Sequence, residues 1–203
     1  MSSQHRLIDD FFAVRLKQFL FPDLKRLRQE IRPDGNVRGC TTATAMLAFS
    51  AMDLLGFLMR DDPSAKKEQS AKNIRFFIDS LFPYDQARHA TVLVRLFRHG
   101  AMHQTLPKAC GISKPDPPND HLIFYKDEET PHLNVDVLVD SLFVAIEALA
   151  GRKDEDPELA RRMNCRLGEL QEDDRKERQA LRDQGDLVYQ DGWRVSATTT
   201  STT

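Results

Sequence analysis

The residues of this 203-residue chain whose types and spacing suit chemistry gather in one stretch: Arg95-Leu96-Phe97-Arg98-His99-Gly100-Ala101-Met102-His103-Gln104, with Lys108 close behind. Histidine accepts and donates protons near neutral pH, so it suits acid–base work. A fixed guanidinium suits a phosphate whose charge grows in a transition state. Arginine and histidine delivered from one rigid element are the minimum for splitting a phosphodiester without a metal, by attack of an RNA 2′-hydroxyl on its own phosphate. On an ideal helix Arg98 and His103, five residues apart, diverge by roughly 140°. They converge if the helix loosens near Gly100 or if a second subunit completes the site, whereas His99 and His103, at i and i+4, share a face.

Other roles compete for these residues. Cations at a helix C-terminus also satisfy its last carbonyls and its dipole, and the stretch can equally hold RNA or a nucleotide without cutting it. As metal ligands His99 and His103 need a third partner, for which only the scattered His89, His121 and Asp53 are available. Asp53, inside an apolar stretch, is either a paired buried carboxylate or a gap in the stripe. His121 and His132 flank a hairpin and read as surface residues. Cys40, Cys110 and Cys165 are far apart and odd in number, which fits neither a disulfide framework nor a zinc-finger spacing and suits a reducing cytoplasm.

The elements that must position the stretch are helical. Leu20, Leu24, Leu27 and Ile31 fall on one stripe after a segment carrying Leu7, Phe11 and Val14, and Pro22 is expected to kink or split the element. After the turn signal RPDGN, residues 41–60 read as a helix apolar on nearly all sides and therefore central. Asp61, Asp62, Pro63 and Ser64 break it and start the next, whose stripe is Ile74, Phe77, Ile78 and Leu81. Asp85 is the expected cap of a fourth helix, carrying Val92, Leu93, Leu96 and Phe97 into the arginine–histidine stretch. Residues 107–120, rich in proline, read as loop; HLIFYK and residues 133–135 read as a hairpin. Asn134 or Asp136 caps a fifth helix, with Leu138, Leu142, Val144, Ile146 and Leu149 inside and Gly151 just past its end. Asp156-Pro157 then starts a charge-dense helix.

Composition bounds the rest. With 29 Lys+Arg against 31 Asp+Glu the net charge is −2, and 40 % of residues are hydrophobic. This excludes an acidic disordered chain, a collagen-like repeat, a membrane bundle and a broadly basic nucleic-acid binder, but leaves room for a local basic spot. The N-terminus lacks the pattern of a secretory signal. The most apolar stretch, residues 44–59, is interrupted by Ser50 and Asp53 and is short for a bilayer. The expectation is a cytoplasmic protein with no membrane contact. Residues 1–151 form the core with the hairpin near 121–135, residues 152–186 a charged helix, and residues 187–203, ending ATTTSTT, a flexible tail. Trp193 has no evident role.

The Arg98–His103 element has arginine and histidine separated by four residues, with a polar residue directly after the arginine. Set late in a helix of an all-α chain, it resembles the motif of HEPN-domain ribonucleases. The resemblance covers the motif and the helical layout of residues 7–151, not the hairpin or the charged helix. It implies an antiparallel bundle of four to five core helices and a homodimer whose motifs face each other. It also implies cofactor-free, metal-independent RNA cleavage leaving a cyclic phosphate, as in toxin and antiviral systems. By that resemblance His103 is the general acid/base, Arg98 the phosphate ligand and His99 a polar helper, where the family more often has Asn or Asp. Arg95, Gln104 and Lys108 would contact RNA. The alternative expectation is a non-catalytic dimerisation and interaction module. Under either, the charged helix is the contact for a protein partner, such as an antitoxin.

Overall fold

The N-terminal helix shows how local sequence chooses a face. Leu24 of the expected stripe is fully buried, with Leu20 and Leu27 half-buried; in the segment before it Ile8, Phe12 and Leu16 are buried, whereas the expected Leu7, Phe11 and Val14 are only half-buried. The helix comprises α1 (Gln4–Asp10), a π-helical stretch π1 (Phe11–Leu20) and α2 (Phe21–Gln29). Pro22 does not split it: the backbone at Asp10 and Phe21 is helical, and the Phe21 N–H reaches back five residues to the Leu16 carbonyl. A widened turn beside a proline is a common accommodation of the missing N–H and the crowded preceding carbonyl. The computed structural model describes residues 4–29, 40–98, 110–125 and 129–184 of the chain. Ile31 and the 187–203 tail lie outside the described residues.

The structure is mostly helical, and α3 (Thr41–Met59) is its hub, packing on α2 and on the helices at Ser70–Leu81 and Val135–Glu155. Ala45, Ala48, Phe49, Met52, Leu55 and Leu58 are fully buried, as an all-round apolar helix requires. It is the one helix among the described residues long and apolar enough to cross a membrane, and it is mostly buried against its neighbours. Helix α4 (Ser70–Leu81) starts later than the Asp61–Ser64 break suggested. Asp62 accepts from the Ser64 N–H and hydroxyl at 2.8 Å each, which turns the chain rather than starting a helix. Its stripe Ile74, Phe77 and Ile78 is buried. Gly56 lets α4 approach closely, since a Cβ there would overlap the Asn73 carbonyl.

The expected fourth helix is broken into α5 (Tyr84–Ala87), α6 (Ala90–Val92) and the π-helical π2 (Leu93–Arg98). Pro83, not Asp85, occupies the cap position. A sheet then replaces the simple hairpin. Strands β2 (Ile123–Tyr125) and β3 (Pro131–Asn134) pair antiparallel as expected, and β1 (Gly111–Ser113), inside the supposed loop, adds parallel to β3. His132 therefore lies within a central strand and is half-buried rather than on the surface.

Asn134 ends β3 and caps α7 (Val135–Glu155), its side chain accepting from the Asp136 and Val137 N–H groups. The helix continues four residues past Gly151, because an exposed glycine costs only about 1 kcal/mol inside a helix. The stop is set by Pro157, which disfavours helical backbone at Asp156. Val144, expected inside, is 61 % exposed. Lys17–Glu147 (3.3 Å), Phe21 on Phe143 (4.4 Å between centroids) and Arg28–Asp140 (2.6 Å) lock the first helix to α7 in opposite directions.

The chain divides into two units, Met1–Leu167 and Gly168–Thr203. Helix α8 (Pro157–Asp183) contributes Leu159, Ala160, Met163 and Leu167 to the buried residues of the first unit. There Arg166 donates to the Phe57 and Asp62 carbonyls and lies 5.0 Å over the Phe57 ring, so one charged residue of this helix belongs to the core. In the second unit the helix is largely exposed and carries local pairs, such as Glu172 with Arg175 at 2.7 Å.

Candidate functional site

Segment π2 is the element that delivers the arginine–histidine stretch. Leu93 and Phe97 are fully buried and Val94 nearly so, and the segment packs on α4. This fixes the helix immediately before Arg98. Arg95, on the same segment, is exposed. Arg98 closes π2 with its backbone. Its side chain lies outside the described residues, as do His99, His103, Gln104 and Lys108.

Among the described residues no group of three or more His, Cys, Asp or Glu is arranged to hold a metal ion. The third ligands considered for the histidine pair are otherwise engaged or dispersed. Asp53 accepts from the Ser70 hydroxyl and from Asn73 Nδ2 at 2.9 Å, so it is a paired carboxylate of the α3–α4 interface. His121 is exposed. His89 is half-buried and its Nε2 accepts from Arg88 Nε at 3.3 Å; burial and the neighbouring Arg88 charge lower its pKa, with Asp85 opposing.

Two arrangements were not expected from sequence. In the first, buried Asn73 links Asp53 to Arg60, whose guanidinium also reaches Gln69 (2.9 Å) and Asp62 (2.8 Å). Every polar group of this cluster is thereby used within the fold, and its work is to fasten α3 to α4. In the second, Ser113 Oγ and His132 Nδ1 share a 2.9 Å hydrogen bond, with Phe124 stacked 5.3 Å from the His132 ring and Gly111 packed beneath it. The imidazole is held between strands by this packing. Burial pushes the Cys110 thiol up to about 11, so it carries no thiolate at neutral pH. The residues beside the motif that sequence reasoning passed over are Tyr84 and Arg88, both exposed on the segment leading to π2. The one signal available was a tyrosine that belongs to no apolar stripe.

No family model, curated protein or solved structure matches this chain.

Proposed function

We propose that the chain is a HEPN-like, metal-independent endoribonuclease of the toxin or antiviral type, built as an antiparallel helical bundle and working as a cytoplasmic homodimer. The observation that carries this reading is the π-wound turn ending at Arg98, anchored by the fully buried Phe97. It supplies a rigid mount for the arginine that opens the motif. In the reaction the bond from the RNA 2′-oxygen to phosphorus forms and the bond from phosphorus to the 5′-oxygen breaks. His103 serves as general acid/base for the proton leaving the 2′-hydroxyl and the proton reaching the 5′-oxygen. Arg98 neutralises the charge that grows on the phosphate, and His99 orients the pair. Arg95, Gln104 and Lys108 hold the flanking RNA.

The test is RNA cleavage by purified protein in excess EDTA, with His103→Ala and Arg98→Ala alongside. Cleavage by the wild type and loss in both folded variants supports the assignment; full activity in either variant removes that residue's role. A second reading, an interaction module, is favoured by the largely exposed charged helix after Gly168. It predicts that deleting residues 168–203 abolishes binding of a protein partner and that Arg98→Ala leaves that binding unchanged. The truncation begins at 168 because Met163 and Leu167 are buried in the first unit.

A further inference from the structure

The segment leading to Arg98 carries side chains that the core does not use. Tyr84, at the start of α5, is 90 % exposed, although Phe82 and Ala90 on either side of it are buried. The Arg88 N–H donates to the Tyr84 carbonyl at 3.4 Å, which sets the two residues one helical turn apart. The Arg88 guanidinium is exposed, with its Nε turned to His89, and Arg95 is exposed on π2, three residues before Arg98. Between Tyr84 and Arg98 the chain holds three arginines against the single acid Asp85, in a protein whose net charge is −2. A nearly free aromatic ring and a local positive excess on one segment are the two components of sequence-tolerant binding to single-stranded nucleic acid: stacking on bases and attraction to the backbone.

We propose that Tyr84, Arg88 and Arg95 form a strip that holds single-stranded RNA beside Arg98, with the Tyr84 ring stacked on an unpaired base and the two guanidiniums on backbone phosphates. The placement of the strip next to a reacting phosphate rests on the ribonuclease reading; the binding itself does not. Asp85 is the one opposing charge on the segment and weakens the attraction.

The experiment uses the full chain and a fluorescein-labelled single-stranded RNA that is 2′-O-methylated throughout, so that no 2′-hydroxyl can attack. Anisotropy is read across a salt series. Tyr84→Ala is expected to raise Kd about tenfold, while Tyr84→Trp stays close to wild type because it keeps a stacking face. Arg88→Ala and Arg95→Ala are each expected to reduce the salt slope by about 0.7, the single-strand value per phosphate contact. Asp85→Asn is expected to tighten binding. The strip is overturned if the wild type does not bind, if Tyr84→Ala binds as the wild type does, or if Tyr84→Trp fails as badly as alanine. It is also overturned if Tyr84→Ala changes the sedimentation mass, which would make the ring a contact between copies of the chain. Cleavage of unmodified RNA separates the two ideas. Wild-type cleavage with an unchanged KM in Tyr84→Ala removes the strip and keeps the ribonuclease; Tyr84-dependent binding without any cleavage does the reverse.

Discussion

Gly56→Ala tests whether the close approach of α3 and α4 holds the scaffold behind the motif. A Cβ at this position overlaps the Asn73 carbonyl oxygen and comes within 2.6 Å of its carbon and 3.1 Å of its Cα. The obstacle is helix backbone, which cannot swing aside as a side-chain tip can. Overpacking of this kind costs about 1–3 kcal/mol. Displacing Asn73 also loosens its bonds to Asp53 and Arg60, and a hydrogen bond to a charged group is worth about 1.5–3 kcal/mol. Alanine returns about 1 kcal/mol as the better helix former. The net expectation is a loss of about 2–4 kcal/mol, from opposing effects that share one site. Gly151→Ala is the control: it is helical, with nothing within 4 Å of its added Cβ, and should gain about 0.5–1 kcal/mol. Urea unfolding at neutral pH measures both, with the m-value confirming an unchanged exposed surface. A Gly56→Ala protein as stable as wild type would refute the close-approach argument.

Asn73→Ala leaves the buried Arg60 guanidinium and Asp53 without a shared partner, and the expected loss in the same unfolding assay is about 2–3 kcal/mol. His89 has a folded pKa below its ordinary 6.5, from burial first and Arg88 second. Protonation therefore favours the unfolded chain, and the cost appears as pH falls from 6.5 towards the lowered folded value; a pH series on His89→Gln should lack this loss. Asp62, with its carboxyl held low chiefly by the Ser64 hydroxyl and N–H, acts in the other direction. Its contribution is present above 3.8 and fades as pH falls below that towards the depressed folded value, so Asp62→Asn should flatten the acid limb of the stability profile.

The helical character of the chain was legible where burial and local periodicity agree. Ile74, Phe77 and Ile78 share a stripe because α4 has one buried face, and α3 is apolar all round because neighbours cover it on several sides. Asn134 could be read as a cap because its role depends only on the two N–H groups just after it. What failed depends on partners distant in sequence. Strand β1 forms in a proline-rich stretch only because β3 offers an edge. Val144 fits an apolar run but is largely exposed, and Arg166 sits in a charged run yet closes over the end of α3. The π-helical winding of π1 and π2 leaves no hydrophobic period distinct enough to see. At the candidate site the sequence supplied the residue types and their spacing, and the structure adds the burial of Leu93 and Phe97, which anchors Arg98, and the exposure of Arg95.

Attack by a 2′-hydroxyl, driven by Arg98 and His103, is what the proposed ribonuclease requires. The most direct measurement gives the wild-type protein, in EDTA, a single-stranded RNA that it cuts and the same RNA carrying one 2′-deoxynucleotide at the cut position. The expected products are a cyclic phosphate and a 5′-hydroxyl from the first and no cut at that position in the second. A cut at the deoxynucleotide, or a linear phosphate formed directly, would contradict it.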